Sequence, residues 1–252
     1  MQTKIDLKNV TFNIPIRIDS EDRAFNLKYI VSYLQTNFDT NIIIYENGPK
    51  KLVDFKDSSI IHIYEEGNGL FHRTRYLNEM ARLSRTDYIV NYDCDVLFPI
   101  KQVVKAVKIL RSNDVDFVYP YGGLFVNIPR EALNNTFNVD ELDPANYPNF
   151  GSNSVGGAIL WNKKVFIKGG MENENFISWG AEDWERFRRF VKLGYNVGRV
   201  KGPLYHINHS RSINSNESNP NYTKNVAEFN RIVDMSKEEL MQHISTWSWL
   251  SV

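Results

Sequence analysis

Several features that mark particular classes of protein are scarce or missing in this sequence of 252 residues. Cys94 is its only cysteine, which excludes an internal disulfide framework and favours a reducing compartment. Lysine plus arginine equals aspartate plus glutamate, at 30 each, and this balance argues against nucleic-acid binding through a basic surface. No apolar run reaches the ~18 residues of a membrane span. Because residues 1–12 lack the apolar core of a signal peptide, we expect a cytoplasmic location.

The carboxyl-terminal segment HISTWSWLSV carries Trp247, Trp249 and Leu250. Such a tail either packs on its own domain or touches a bilayer or a partner, and the sequence leaves both interpretations open. Peripheral contact with the inner face of a membrane is therefore an expectation too. The hydrophobic fraction of 42% supports a substantial core, so we expect residues 1–252 to form a single domain.

What the first half of the chain does contain is an alternation of strand-like and helix-like stretches. Runs rich in β-branched and aromatic residues, typical of buried strands, cover residues 9–18, 41–46, 59–66, 86–93 and 115–120. Stretches with helical spacing of apolar residues cover 21–38, 70–84 and 100–113. This order predicts the α/β class, with a mixed, mostly parallel, Rossmann-like central sheet flanked by helices. We expect residues 1–120 to be its nucleotide-binding half.

The second half of the chain is less regular. Residues 138–154 are rich in Asn, Asp, Pro and Ser and predict a long loop, a kind of segment that is often functional. A strand is predicted over 155–162 and a helix over 182–194. We expect an acceptor-binding and catalytic half over residues 121–215, followed by a helical tail over 216–252.

Two carboxylates, Asp93 and Asp95, follow the strand predicted over 86–93. They could form a turn or cap the next helix, because aspartate favours both positions. Carboxylate oxygens also suit Mg²⁺ or Mn²⁺. Ligands of parallel α/β sheets bind beyond the carboxyl ends of the strands, and this position strengthens the metal interpretation without excluding the other two.

Three further stretches carry polar groups suited to chemistry. His206 and His209 lie three residues apart and can either bind one metal ion or serve separately as a core and a solvated histidine. Glu182 and Asp183 start a predicted helix, where acidic residues favour the helix dipole but can also act as a general base with an orienting neighbour. Trp179, just before them, offers a flat face for stacking on a sugar.

The last of these three stretches is FHRTRYLN, which holds Phe71, Arg73 and Arg75. The phenyl ring could stack on a nucleobase, and the two guanidinium groups could pair with phosphates. An amphipathic helix with a solvated basic face is the alternative interpretation, and the sequence of this stretch alone does not separate the two.

Taken in order, these stretches resemble the motifs of the β-1,4-galactosyltransferase family, within the GT-A class of nucleotide-sugar glycosyltransferases. FNIPIR resembles its proline-aromatic-arginine start, FHRTRYLN its Phe-x-Arg-Ala-Lys-Leu-Leu-Asn stretch, and NYDCDVLF its Asp-Val-Asp motif. SVGGAILWN resembles its Phe-Gly-Gly strand, ISWGAEDWER its Trp-Gly-Gly-Glu-Asp-Asp segment, and HINHSR its Met-Ile-Arg-His-Ser-Arg. The match spans most of residues 12–212.

The resemblance implies a role for each matching residue. Those implied to hold Mn²⁺ or Mg²⁺ are Asp95, His209 and His206, the last standing where the family has methionine. Asp183 would be the catalytic base, and Glu182 its acidic neighbour in contact with the acceptor. The residues implied to bind the UDP-sugar donor are Arg17, Phe71, Arg73, Arg75, Asp93, Gly156, Gly157, Trp179 and Gly180.

As a whole, the resemblance implies a metal-dependent, inverting transfer of galactose or N-acetylgalactosamine from a UDP-sugar to a saccharide hydroxyl. The expected setting is bacterial or viral glycan synthesis, on a lipid-linked or polysaccharide acceptor. Ser154 stands where the family has a bulky tyrosine, so UDP-N-acetylgalactosamine competes with UDP-galactose as donor. Two alternatives stay open: a non-catalytic sugar-binding protein on the same fold, and a synthase module that transfers N-acetylglucosamine or glucose.

Overall fold

The computed structural model describes residues 3–133 and 138–251. The strands are β1 (Ile5–Ile16), β2 (Phe38–Gly48), β3 (Ile60–Glu66), β4 (Tyr88–Tyr92), β5 (Val96–Leu97), β6 (Phe117–Tyr119), β7 (Phe125–Ile128), β8 (Ala158–Asn162), β9 (Val197–Arg199) and β10 (Leu204–Ile207). The helices are α1 (Glu21–Asn37), α2 (Arg73–Leu83), α3 (Ile100–Arg111), α4 (Lys163–Lys168), α5 (Glu182–Leu193), α6 (Tyr222–Asp234) and α7 (Lys237–Ile244).

The main sheet has seven strands in the order β3-β2-β1-β4-β8-β6-β9. The pairs β2–β3, β1–β2, β1–β4 and β6–β9 are parallel, whereas β8 runs antiparallel to both of its neighbours. The predicted α/β class with a mostly parallel central sheet is therefore confirmed. The strand predicted over 155–162 is shorter than expected, since β8 begins only after the two glycines.

Helix α1 shows how the sequence builds the layers around this sheet. Ser20 caps its first turn by accepting a hydrogen bond from the backbone N–H of Arg23, at 3.3 Å. Leu27, Val31 and Leu34 recur at helical spacing and are fully buried. The helix thereby covers one face of the sheet and leaves its amino-terminal turn, with Arg23, near the carboxyl ends of the strands.

A second, three-stranded sheet has the order β5-β10-β7. The sequence patterns did not indicate β5 or β7, because runs of two and four residues are too short to show periodicity. Within this sheet β10 pairs antiparallel with β5, so that His206 lies opposite Val96. The loop predicted over 138–154 contains two short 3₁₀ turns and no strand of its own.

The carboxyl-terminal tail packs on its own domain. Trp247 is 4% exposed and lies in an apolar cluster with Ile232, Leu240 and Ile244. Arg82 of α2 donates a hydrogen bond to the backbone carbonyl of Trp249. Among the helices of the described residues, none combines the length and apolar character that crossing a bilayer requires.

Candidate active site

A cavity of about 320 Å³ opens beyond the carboxyl ends of β1 and β4, where ligands of parallel sheets bind. The predicted site residues that line it are Arg17, Phe71, Arg73, Asp93, Asp95, Gly156, Gly157, Trp179, Glu182, Asp183, His206 and His209. Two other predicted residues, Arg75 and Gly180, do not line it. The fold thus brings most of the predicted residues to one place from distant parts of the chain.

Asp95, His206 and His209 form one group whose ligand atoms all lie within 4.8 Å of one another. The Nε2 atom of His209 is 3.0 Å from Oδ2 of Asp95, and Nε2 of His206 is 3.9 Å from the same oxygen. One carboxylate and two imidazoles are a donor set that divalent transition metals accept. We call these three residues the Asp95 centre.

Partners outside the Asp95 centre fix both rings. Nδ1 of His206 donates to the side-chain oxygen of Asn127 at 2.8 Å, and Nδ1 of His209 donates to the carbonyl of Ser210 at 2.7 Å. Each ring therefore turns its Nε2 atom towards Asp95, and an outer partner at the second ring nitrogen is common around metal-bound histidines. The donor set and its supporting hydrogen bonds fit a divalent cation.

The small sheet creates this arrangement. The backbone N–H of Ile207 donates to the carbonyl of Asp95 at 2.7 Å, which continues the pairing of β10 with β5. On the other side, the N–H of Asp93 donates to the carbonyl of Gly157 at 2.8 Å. The Asp-Cys-Asp segment thus forms a turn between β4 and β5, as one of the interpretations predicted, and it does not cap α3, which starts after Pro99.

The charges around Asp95 favour its ionised form. Burial opposes ionisation, but the hydrogen bond from His209 and the positive charges of His206 and Arg23 hold the pKa of Asp95 below its usual range. Burial lowers the pKa of His206, whereas at His209 burial is outweighed by the hydrogen bond to Asp95, which raises the pKa. A cation at the Asp95 centre would therefore have to displace a proton from His209 more than from His206.

Asp183 has different neighbours. Its Oδ1 accepts a hydrogen bond of 2.5 Å from Arg186 and lies 3.6 Å from the guanidinium of Arg73. Burial raises the pKa of Asp183, but the charges of Arg186 and Arg73 outweigh burial and lower it. Arg73 also pairs with Asp93 at 2.6 Å, and thereby links the two parts of the cavity. We call Asp183 with these two arginines the Asp183 centre.

The second oxygen of Asp183 faces Gly156. A Cβ added to this glycine would lie 2.6 Å from Oδ2 of Asp183, closer than real contacts allow. The absence of a side chain at position 156 therefore leaves space beside Oδ2, while Oδ1 is held by the arginines. This oxygen is the one free to accept a proton from a bound hydroxyl.

Arg186 is itself held by a buried carboxylate that the sequence analysis missed. It donates to both oxygens of Glu172 at 3.1 Å, and both side chains are 1% exposed. Glu172 in turn accepts a hydrogen bond of 2.7 Å from Asn91 of β4. Nothing in the sequence distinguishes these charged residues from solvated ones, because Glu172 lies in a turn and Arg186 in a helix full of charges.

Glu182 is 6% exposed and accepts a hydrogen bond of 2.8 Å from the backbone N–H of Gly180. Burial, reinforced by the negative charge of Asp183, raises the pKa of Glu182 to about 7. The two adjacent carboxylates therefore differ in protonation near neutral pH, with Asp183 ionised and Glu182 only partly so. Such a separation of pKa values between neighbours is common in catalytic sites.

The segment before α5 has an unusual backbone. Ser178, Gly180 and Ala181 all have positive φ angles, of 64°, 133° and 63°, and for residues other than glycine this conformation is costly. The Trp179 ring stacks on Tyr222 of α6, with ring centres 5.7 Å apart. The amide of Asn225 donates to the Trp179 carbonyl at 3.2 Å. The segment thus holds the indole at the edge of the cavity, and Gly180 faces α6 instead.

At the far end of the cavity, Arg17 donates to the side chain of Asn47 and lies 6.0 Å from the centre of the Phe71 ring. Arg75 points away and pairs with Glu65 at 2.5 Å and with Glu79 at 2.7 Å. The predicted donor-binding role of Arg75 therefore concerns a neighbouring cavity beside Glu65.

Comparisons with known proteins bear on these residues. Residues 139–212 match a family model described as the N-terminal domain of galactosyltransferase. The catalytic domain of Drosophila β1,4-galactosyltransferase 7, solved with xylobiose, aligns with 18% identity and a TM-score of 0.47 over 75% of this chain and 63% of that chain. A mutant of the same protein, solved with manganese, UDP-Gal and xylobiose, aligns with 17% identity and a TM-score of 0.49 over the same shares.

The chain thus spans about 63% of the length of these two solved structures. Among curated protein sequences, the comparison found no match. The matched segment 139–212 contains Asp183, His206 and His209. Over this segment the family model confirms the resemblance that the motifs carry.

Proposed function

We propose that this protein is an inverting glycosyltransferase that moves a hexose from a UDP-sugar to a hydroxyl group of a saccharide acceptor. The observation that carries the proposal is that the Asp95 centre and the Asp183 centre open onto one cavity. Arg73 of the Asp183 centre extends towards the Asp95 centre, since it lies 3.6 Å from Asp183 and pairs at 2.6 Å with Asp93, two residues before Asp95. A leaving-group site and a base that face one cavity are what a direct displacement requires.

The Asp95 centre would hold Mn²⁺ or Mg²⁺ through Asp95, His206 and His209. Bound there, the cation supplies Lewis-acid neutralisation of the diphosphate leaving group. Arg17 and Phe71 would hold the nucleotide at the far end of the cavity, where the guanidinium suits phosphate and the ring suits a base. Asp93 is held by Arg73 and would orient the donor between the two centres.

Asp183 would accept the proton of the attacking hydroxyl at its free Oδ2. Its lowered pKa keeps it ionised over the whole neutral range, so no proton has to be lost before the reaction. General-base assistance of this kind contributes about 10²–10⁴-fold to a rate. A single base and a direct displacement give inversion, because retention by double displacement needs a nucleophile on the opposite face of the sugar.

The donor sugar is proposed from the surroundings of Ser154. Its hydroxyl accepts a hydrogen bond of 3.1 Å from Tyr121, and its small side chain lines the cavity. We expect this space to accept the N-acetyl group of UDP-N-acetylgalactosamine. Ser154→Tyr should fill the space and shift the donor preference towards UDP-galactose by roughly tenfold, because an overfilled pocket costs about 1–3 kcal/mol. Ser58→Tyr, at an exposed serine before β3 that lines neither this cavity nor its neighbouring groove, is the matched control.

The experiment that tests the function is a nucleotide-release assay across UDP- and GDP-sugars with mixed saccharide acceptors, with and without Mn²⁺. We expect release from UDP-galactose or UDP-N-acetylgalactosamine only, and only with the cation. Release from no nucleotide sugar, together with retained saccharide binding, would favour the non-catalytic alternative. Equal release with and without the cation would contradict the role of the Asp95 centre.

A further inference from the structure

A second groove, of about 460 Å³, adjoins the candidate active site. The two share the wall residues Phe125, Ser154, Trp184 and Arg211, so a ligand can extend from one into the other without leaving the surface. Trp184 directly follows the proposed base in the sequence. The groove therefore begins where the acceptor hydroxyl must lie and leads away from the donor end of the cavity.

Exposed aromatic rings line this groove. Phe150 is 63% exposed and Trp184 is 40% exposed, although large aromatic side chains are usually buried. Phe150 packs against Phe125 with ring centres 5.9 Å apart, and Phe125 lies 5.3 Å from the ring of His206. Flat apolar faces held rigidly in a polar groove suit the C–H faces of sugar rings.

Three arginines border the same groove. Arg211 lines it, Arg188 lies with its Cζ 5.9 Å from the Trp184 ring centre, and Arg199 donates to the carbonyl of Ser154 at 3.1 Å. All three are exposed. Within residues 3–133 and 138–251, none of the three guanidinium groups has a carboxylate oxygen within 4.0 Å, the limit for an ion pair.

Two exposed arginines elsewhere on the surface do form ion pairs. Arg130 pairs with Asp22 at 3.4 Å, and Arg231 pairs with Glu228 at 2.6 Å. Asp183, which directly precedes Trp184, is already paired with Arg186 and lies beside Arg73. Three positive charges at one groove thus lack compensation in a chain whose formal net charge is zero.

From this combination we infer that the groove binds the acceptor, and that the acceptor is an anionic saccharide, with a carboxylate or phosphate beyond the sugar that receives the hexose. The inference rests on the proposed function, since it assigns the acceptor class of the same site. Trp184 and Phe150 stack on the sugar rings, while Arg188, Arg199 and Arg211 attract the anionic groups. Guanidinium groups bind both carboxylate and phosphate in a two-pronged geometry.

The test uses the whole chain on an array of oligosaccharides printed as matched sets, each backbone in neutral, glucuronate-bearing and phosphate-bearing forms. We expect binding about tenfold stronger to the anionic members, because each exposed charge pair adds a modest increment, and a loss of that preference at high salt. The glucuronate and phosphate members show which of the two anions is preferred.

The variants compare arginines that resemble one another. Arg188→Gln should reduce binding to anionic members about threefold, since one exposed ion pair is lost, and Arg188→Gln with Arg211→Gln should remove the preference. Arg85→Gln changes an exposed arginine before β4, at the opposite end of the sheet, and should have no effect. A preference for neutral members, equal binding to all forms, or no saccharide binding would overturn the inference.

Calorimetry of UDP binding in Mn²⁺ runs in parallel on the same preparations. If the chain binds UDP but binds neutral and anionic oligosaccharides equally, the acceptor assignment is contradicted and the proposed function is not. If the unsubstituted chain does not bind UDP, the proposed function is contradicted, whatever the array shows.

Discussion

The cavity contains two acidic centres that the protein treats in opposite ways. Asp95 faces two histidines, one at 3.0 Å and one at 3.9 Å, and its guanidinium neighbour Arg23 stays 3.9 Å away. Asp183 instead receives a direct hydrogen bond from Arg186, with Arg73 beside it. Imidazoles can release a proton to make way for a cation at Asp95, whereas guanidinium groups stay charged and already balance Asp183. Under the proposed function, the first carboxylate would hold a metal ion and the second would accept a proton.

The largest effect should come from Asp183→Asn. Removing the acceptor oxygen should lower the transfer rate by about 10²–10⁴-fold, the usual contribution of a general base. UDP affinity in Mn²⁺ should stay nearly unchanged, since the Asp95 centre is intact. Transfer kinetics and calorimetry of the same preparation measure both. Asp87→Asn, at an exposed aspartate before β4, is the control, and a parallel loss of transfer and UDP binding would remove the distinction between the centres.

Asp95→Ala should produce the converse pattern. We expect Mn²⁺-dependent UDP affinity to fall by at least roughly tenfold, because loss even of a supporting group around a metal costs about 10–100-fold. Chelation of the cation from the unsubstituted chain should have the same effect on UDP binding. His243→Gln, at a histidine of α7, should leave the affinity unchanged. Unaltered UDP affinity in Asp95→Ala would show that the cation, if bound, is held elsewhere.

Arg186→Met tests the fixed charge at the Asp183 centre. Because Arg186 and Arg73 lower the pKa of Asp183, removal of one cation should raise that pKa. The acidic limb of the pH–rate profile should then move towards neutral pH, and Arg186→Lys should move it less. Arg186→Met leaves the buried Glu172 without its ion-pair partner, so a stability loss of about 3–5 kcal/mol is expected for this variant.

Arg189 provides the control for that experiment. It lies three residues further along α5, is fully buried, and pairs with Glu185 at 2.7 Å away from the cavity. Arg189→Met should lose comparable stability. If the methionine variants unfold, Arg189→Lys and Arg186→Lys, which keep the charge, are compared instead. A shift of the acidic limb in the Arg189 variants as large as in the Arg186 variants would contradict a specific role for Arg186.

Glu182→Gln should leave stability least changed at neutral pH, and its effect is measured as the unfolding free energy against pH. The pKa of Glu182 is raised to about 7 in the folded chain from an ordinary 4.5, so the folded state holds an extra proton between these values. Its contribution to stability is present below pH 4.5 and is lost as the pH rises to about 7. Glu182→Gln should remove this decline, worth up to about 3 kcal/mol at 1.4 kcal/mol per pKa unit. Parallel curves for both proteins would contradict the raised pKa.

The sequence predicted the Asp95 centre better than the Asp183 centre, for a physical reason. Strand periodicity places Asp95 at the carboxyl end of β4, and a short histidine spacing brings His206 and His209 together locally. Arg186 and Glu172 carry no such signal in the sequence. Their ion pair joins a helix to a turn, and only the packed fold brings these two segments into contact. Likewise β8 has an ordinary strand pattern, and its antiparallel insertion beside β4 depends on pairing across distant segments.

The most direct test of the two-centre account is a crystal of the chain grown with Mn²⁺ and UDP, with the ion located by its anomalous signal. The account predicts one ion bound directly to Asp95 with His206 or His209, contacting the diphosphate, and no ion at Asp183. An ion ligated by Asp183, or placed away from both histidines, would contradict it.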